Sequence, residues 1–102
     1  MDTYELAELY LRRQEQAIRL TFADARLAVV TEAGSRLWYI DVNGVVQTGL
    51  LAQLAESDNL RFELTAVTAG GRKFEGVGYL HPNVKHQAAA IRGDGELTGY
   101  SA

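Results

Sequence analysis

Polar and apolar side chains recur at three- and four-residue steps along the first twenty residues. The charged positions fall on one stripe of a helix: Glu5, Glu8, Arg12, Glu15 and Arg19. Acid precedes base at i,i+4 along this stripe, which stabilises a helix, and Asp2 followed by Glu5 has the spacing of a capping box. The pattern therefore predicts an N-terminal amphipathic helix with its charged face in water.

The opposite face of this predicted helix is apolar and wider than one sheet surface requires. Leu6, Leu9 and Leu20 extend it on one flank. A short domain that packs on two sides of the helix would explain such a flank, and so would contact with a protein partner. We take Leu6, Leu9 and Leu20 as the candidate protein interface.

The middle of the chain changes to a strand pattern. Residues 18–33 fit either a helix or a strand, and we favour a strand from about Arg26 because β-branched residues follow. Residues 36–42 carry the clearest strand pattern. Asn43-Gly44 then predicts a type I′ hairpin, and leucines at helical spacing predict a short helix near residues 49–56.

The second half has the alternation of an antiparallel meander. Its predicted strands cover residues 60–68, 73–80, 86–92 and 96–100. Together the elements predict an α+β fold, in which the N-terminal helix packs on a mostly antiparallel, meander-type sheet of about 5–7 strands. A sheet curled into a partial barrel is the alternative to an open one.

Two glycines predict an open space on one face of the sheet. Gly76 and Gly78 are two residues apart, so both leave a side chain missing on the same face of their strand. We expect a bulky group to fill this space. Trp38 or the N-terminal helix would do so within the molecule, and a partner backbone or a ligand ring would do so from outside.

Composition limits the functions that this fold can carry. The chain has no cysteine and a net charge of −3, which excludes thiolate chemistry and makes a nucleic-acid surface unlikely, because phosphate binding requires an excess of Lys and Arg. The acidic first ten residues do not resemble a signal peptide, and no apolar run is long enough for a membrane span. We therefore expect a single globular domain over residues 1–102, in the cytoplasm.

Candidate catalytic groups are few. His81 and His86 flank the single proline, but a catalytic zinc site needs three protein ligands. The C-terminal glycines leave no room for the helix that follows a phosphate-binding loop, and no serine lies in a nucleophile elbow. We expect no enzymatic activity, no cofactor and no metal.

By elimination, the leading hypothesis is a small interaction or assembly protein that self-associates, with a homodimer as the first guess. Phage and mobile-element accessory proteins, such as virion components or inhibitors of host systems, commonly have this size. One alternative is a small-molecule-binding domain with an aromatic-lined pocket, for which the candidates are Trp38, Tyr39, Phe74, Tyr79 and His81. A weaker alternative is single-stranded nucleic-acid binding by the C-terminal half, where bases and aromatics occur together.

Overall fold

The computed structural model describes residues 1–99. The strands are β1 (Asp2–Arg13), β2 (Gln16–Leu20), β3 (Asp24–Glu32), β4 (Ser35–Asn43), β5 (Arg61–Thr68), β6 (Lys73–Asn83) and β7 (Ala88–Gly93). A helix, α1 (Thr48–Ala55), joins β4 to β5, and a single 3-10 turn (Val84–His86) joins β6 to β7. Strands hold 62% of the residues and helices 11%, so the protein is mostly β and the predicted α+β class is wrong.

Six of the strands close into an antiparallel barrel. Their order is β1-β3-β4-β7-β6-β5, and β5 pairs again with β1 to complete the ring. Strand β2 forms a hairpin with the second half of β1 and stays outside the ring. Because β4 and β5 are separated by β7 and β6, the connecting helix α1 lies across one end of the barrel.

The barrel interior is filled by alternate residues of every strand. On β5, Phe62, Leu64 and Ala66 are at most 2% exposed, while Arg61 and Glu63 point to water. Leu51 and Leu54 of α1 join the same buried cluster from the end of the barrel. The alternation predicted for this strand is confirmed for these five residues, whereas Thr65, predicted to face water, is only 7% exposed. Burial of each large apolar side chain contributes about 1.5–3 kcal/mol.

The predicted N-terminal helix is absent, and its apolar flank belongs to the barrel core. A β-bulge at Ala7 shifts the pairing of β1 with β5 between Leu6 and Glu8. Leu6 and Leu9 therefore both face the interior although they are three residues apart, as they would be on one face of a helix.

The turn between β1 and β2 also lacks the residues that usually mark one. Arg13 pairs with Gln16, so Gln14 and Glu15 form a two-residue hairpin loop. Gln14 takes a left-handed backbone conformation with φ of 53°, a position that glycine or asparagine normally occupies. Without that signal, the run from Asp2 to Leu20 has the pattern of one helix.

The hairpin predicted at Asn43-Gly44 is also wrong. Gly44 does have a positive φ, 66°, but β4 ends at Asn43 and the chain continues into α1. The N–H of Ala23 donates to the C=O of Asn43 and of Gly44, both at 3.0 Å. A Cβ at Gly44 would lie 2.6 Å from that of Ala23, so glycine here allows two segments to touch.

Several local predictions are confirmed. The short helix is present at Thr48–Ala55, and residues 18–33 are mostly strand. The strand predicted over 96–100 is reduced in the described residues to one bridge between Glu75 and Thr98, and its last residue, Tyr100, lies outside them.

Candidate functional site

The outer surface of β4, β7 and β6 carries a row of large side chains. Arg92 on β7 is directly opposite Tyr39 on β4 and Tyr79 on β6. Directly opposite residues place their Cβ atoms about 4.5–5.5 Å apart, so the three side chains form one ridge across three strands. We call Tyr39, Arg92 and Tyr79 the ridge.

The ridge is exposed although its members are large. Tyr39 is 40% exposed and Tyr79 is 43% exposed. The hydroxyl of Tyr39 lies 3.8 Å from the Sδ of Met1, and Leu37, two residues before Tyr39 on the same face, is 58% exposed. Apolar and aromatic surface therefore continues from the ridge toward the N-terminus.

A trough runs beside the ridge, one row along the same strands. Ala90 on β7 is directly opposite Asp41 on β4 and His81 on β6. These three residues line one end of a depression of about 630 Å³ that extends along the strands to Asn43 and Ala88. We call Asp41, Ala90 and His81 the trough.

The charges of this face are only partly paired. Arg61, opposite Tyr79 on β5, forms an ion pair with Asp94 at 3.3 Å. Neither Arg92 on the ridge nor Asp41 in the trough forms an ion pair with another described residue. The face therefore presents an available cation and an available anion in adjacent rows.

The structure divides the residues predicted from sequence between the two sides of the barrel wall. Leu6, Leu9 and Leu20 lie in the core, 6%, 0% and 2% exposed. They cannot reach a partner unless the barrel opens, and the helix on which the predicted interface depended is absent.

The aromatic candidates separate in the same way. Trp38 and Phe74 point into the barrel and are 3% and 0% exposed. Tyr39, Tyr79 and His81 point outward on the face described above. The five residues proposed for one pocket therefore do not line a common cavity, and three of them share an outer surface.

Sequence reasoning missed the part that alanine plays on this face. Ala90 follows two other alanines, and the run has no polar or charged side chain that would mark a site. Its role depends on the strands beside it, because only the pairing of β7 with β4 and β6 places Ala90 between Asp41 and His81. The one signal available in the sequence is a small residue two positions before Arg92, on the same face of a predicted strand.

A second outer surface lies between β2, β1 and β5. The hydroxyl of Tyr10 donates a 2.5 Å hydrogen bond to Glu8, whose carboxylate is 3.5 Å from Arg19. This hydrogen bond raises the pKa of Tyr10, and Arg19, stacked over the ring, partly opposes it. Arg12 donates to the Thr65 hydroxyl at 2.9 Å across the groove. The polar side chains of this surface are therefore paired with one another.

The remaining chemistry of the described residues is limited. Within residues 1–99, no three histidine or acidic side chains are grouped as a metal site would require. No helix in the same range has the length and apolar content needed to cross a membrane. Comparison of the chain with protein-family models, curated proteins and solved structures finds no match.

Proposed function

We propose that this protein is a non-enzymatic assembly protein that self-associates through the face formed by the ridge and the trough. The observation that carries the proposal is the adjacency of a projecting row, Tyr39, Arg92 and Tyr79, and a recessed row centred on Ala90. Tyrosine and arginine are the side chains most enriched among residues that dominate binding energy at protein interfaces.

A second copy of the chain fits this face better than an unrelated partner. In a two-fold symmetric contact, each copy presents the same patch, so a patch that holds both a ridge and a trough, and both a cation and an anion, can be complementary to itself. An axis between the two rows lets the ridge of one copy enter the trough of the other. It also brings Arg92 of each copy to Asp41 of the other, which pairs the two available charges.

The test is a charge swap followed by light scattering after size exclusion. Arg92→Asp sets an acid against Asp41, and we expect association to weaken at least tenfold, since breaking a charge pair at an interface costs about 2–5 kcal/mol. Arg92→Asp combined with Asp41→Arg restores the opposite charges and should restore the wild-type mass. Filling the trough with Ala90→Phe should also dissociate the contact.

Lys73→Glu is the matched control. It changes the net charge by the same amount on β6, next to Val67 and away from the ridge, and we expect no change in mass. A wild-type mass of 11.2 kDa, the monomer, would contradict the proposal. So would an Arg92→Asp variant that keeps the wild-type mass, or a double variant that stays dissociated.

A further inference from the structure

Closure of the barrel leaves one strand with a free edge among those described. Strand β2 pairs with β1 on one side and with no described strand on the other. An unpaired edge carries backbone N–H and C=O groups that can pair with another chain. The free side of β2 is therefore a place where a second strand can add.

The hairpin register shows which backbone groups face the free edge. The closing pair of a two-residue loop, here Arg13 and Gln16, exchanges its hydrogen bonds, and such pairs recur every second residue along a hairpin. Ile18 and Leu20 therefore bond to β1. The N–H and C=O of Ala17 and of Arg19 point the other way.

The contacts of Gln47 agree with this assignment. Its side-chain amide donates to the C=O of Arg19 and accepts from the N–H of Thr21, both at 2.7 Å. The loop before α1 thus covers the C-terminal end of the edge. The N–H and C=O of Ala17 and the N–H of Arg19 remain accessible.

The sequence around Ala17 is complementary to itself in an antiparallel pair. With a two-fold axis at Ala17, that residue faces its own copy, and residues two positions away on either side face each other. Glu15 of one copy is then opposite Arg19 of the other, and the same pair occurs again across the axis. Opposite charges at directly facing positions stabilise a strand pair.

We propose that β2 pairs with β2 of a second copy, antiparallel and centred on Ala17. The two Ala17 residues exchange two backbone hydrogen bonds, and each Arg19 N–H donates to the C=O of Glu15 in the other copy. None of these four bonds displaces Gln47. Ala17 is exposed, and its side chain stands perpendicular to the direction of pairing, so the two backbones can approach.

This second contact lies on the opposite side of the barrel from the first. In the ring of six strands, β1, which carries β2, is three strands away from β7, which carries Arg92 and Ala90. Both contacts can therefore form at once. If the self-association proposed above also holds, the two isologous contacts together build assemblies of more than two copies.

The β2 contact is tested by removing one outward amide. Ala17→Pro deletes the N–H that faces the free edge and leaves the hydrogen bonds of Ile18 and Leu20 to β1 in place. Light scattering of the full chain should show a lower mass for Ala17→Pro, while Ala17→Val, which keeps the amide, should retain the wild-type mass. Circular dichroism and the melting temperature establish that Ala17→Pro is folded.

A charge series tests the same contact without touching the backbone. Glu15→Arg sets two arginines against each other and should dissociate the β2 pair. Because Arg19 also forms an ion pair with Glu8 of its own chain, the rescue variant reverses all three charges, and Glu15→Arg with Arg19→Glu and Glu8→Arg should restore the β2 pair. A wild-type mass for Glu15→Arg, or no recovery in the triple variant, would overturn the inference even if Ala17→Pro fails to fold.

The Arg92→Asp background separates the two proposals. With the ridge contact removed, we expect a dimer held by β2, and adding Ala17→Pro should convert it to a monomer. If Arg92→Asp alone is already a monomer, the β2 contact does not exist and the first proposal stands. If Arg92→Asp has the wild-type mass and Ala17→Pro lowers it, the β2 contact stands and the first proposal fails.

Discussion

At the scale of single residues, three glycines determine where Trp38 lies. A Cβ added at Gly93 would be 2.3 Å from the indole ring, and one at Gly76 would be 2.9 Å from it. A Cβ added at Gly78 would be 3.4 Å from the same ring. The space predicted beside Gly76 and Gly78 is therefore filled from within the molecule by Trp38, whose N–H donates to the C=O of Gly95 at 3.1 Å.

Gly93→Ala should destabilise the fold by about 2–3 kcal/mol, because the added methyl group overlaps a ring that is only 3% exposed. Gly49→Ala is the matched control, since no atom lies within 4 Å of its Cβ and the helix there gains from alanine. We expect it to be neutral or to stabilise by up to about 1 kcal/mol. Urea unfolding measures both, and equal effects would contradict the close packing of Trp38.

At the scale of elements, the bulge in β1 sets the phase of the strand. Leu6 and Leu9 face inward on either side of Ala7, and Leu11 follows in normal alternation. One extra residue thus keeps three leucines in the core while the strand bends from its pairing with β3 to its pairing with β2. In the sequence, the bulge is visible only as the three-residue spacing of Leu6 and Leu9, where a regular strand would have a spacing of two.

Deletion of Ala7 should lower the stability but preserve the fold, whereas deletion of Ala90 should abolish the fold. Without Ala7, inward and outward positions still alternate along β1, so Leu6, Leu9 and Leu11 all stay inside. Ala90 lies in a strand without a bulge, and its deletion turns Ile91 outward. We expect cooperative unfolding of the Ala7 deletion and loss of structure in the Ala90 deletion, both followed by circular dichroism.

The opposite order of stability, with the Ala90 deletion folded and the Ala7 deletion unfolded, would contradict this account of the register. It would mean that the bend at Ala7, rather than the alternation of side chains, is what the barrel requires.

At the scale of the whole molecule, both ends of the described chain are held by pairing with strands of the closed ring. Strand β1 at the start pairs with β5, and the segment after β7 returns to bridge Glu75 through Thr98. Among the described residues, every buried apolar side chain except Ala28 belongs to one cluster, which includes Trp38 and the two buried leucines of α1. No part of this core can open without exposing the rest.

Unfolding should therefore occur in one transition. Trp38, the single tryptophan, reports the packing of the barrel interior through its fluorescence, and circular dichroism reports the strands. We expect the two denaturation curves to coincide at one protein concentration, as for a two-state domain. A tryptophan transition at lower urea than the loss of strands would contradict the description of Trp38 as part of the common core.

The candidate surface was predictable only in part. Residue type predicts a binding role for Tyr39, Tyr79 and His81. It predicts the same role for Trp38 and Phe74, which the barrel buries. Strand alternation by itself distinguishes two faces and does not say which face will be enclosed. Nothing in the sequence around Ala90 predicts that Asp41 and His81, which are distant in the chain, will border it.

The sequence by itself determined most of the strands after residue 26, the short helix, and the alternation that buries Phe62 and Leu64, because these depend on contacts between near neighbours. Only the tertiary structure decided that residues 2–20 are strands rather than a helix. Hydrogen bonds to β3 and β5 satisfy the backbone of this segment as a strand. They outweigh its local helical preference, although no local pattern in the sequence predicts a strand there. Ring closure then decided which edge remained free and which aromatic side chains met on the outer face.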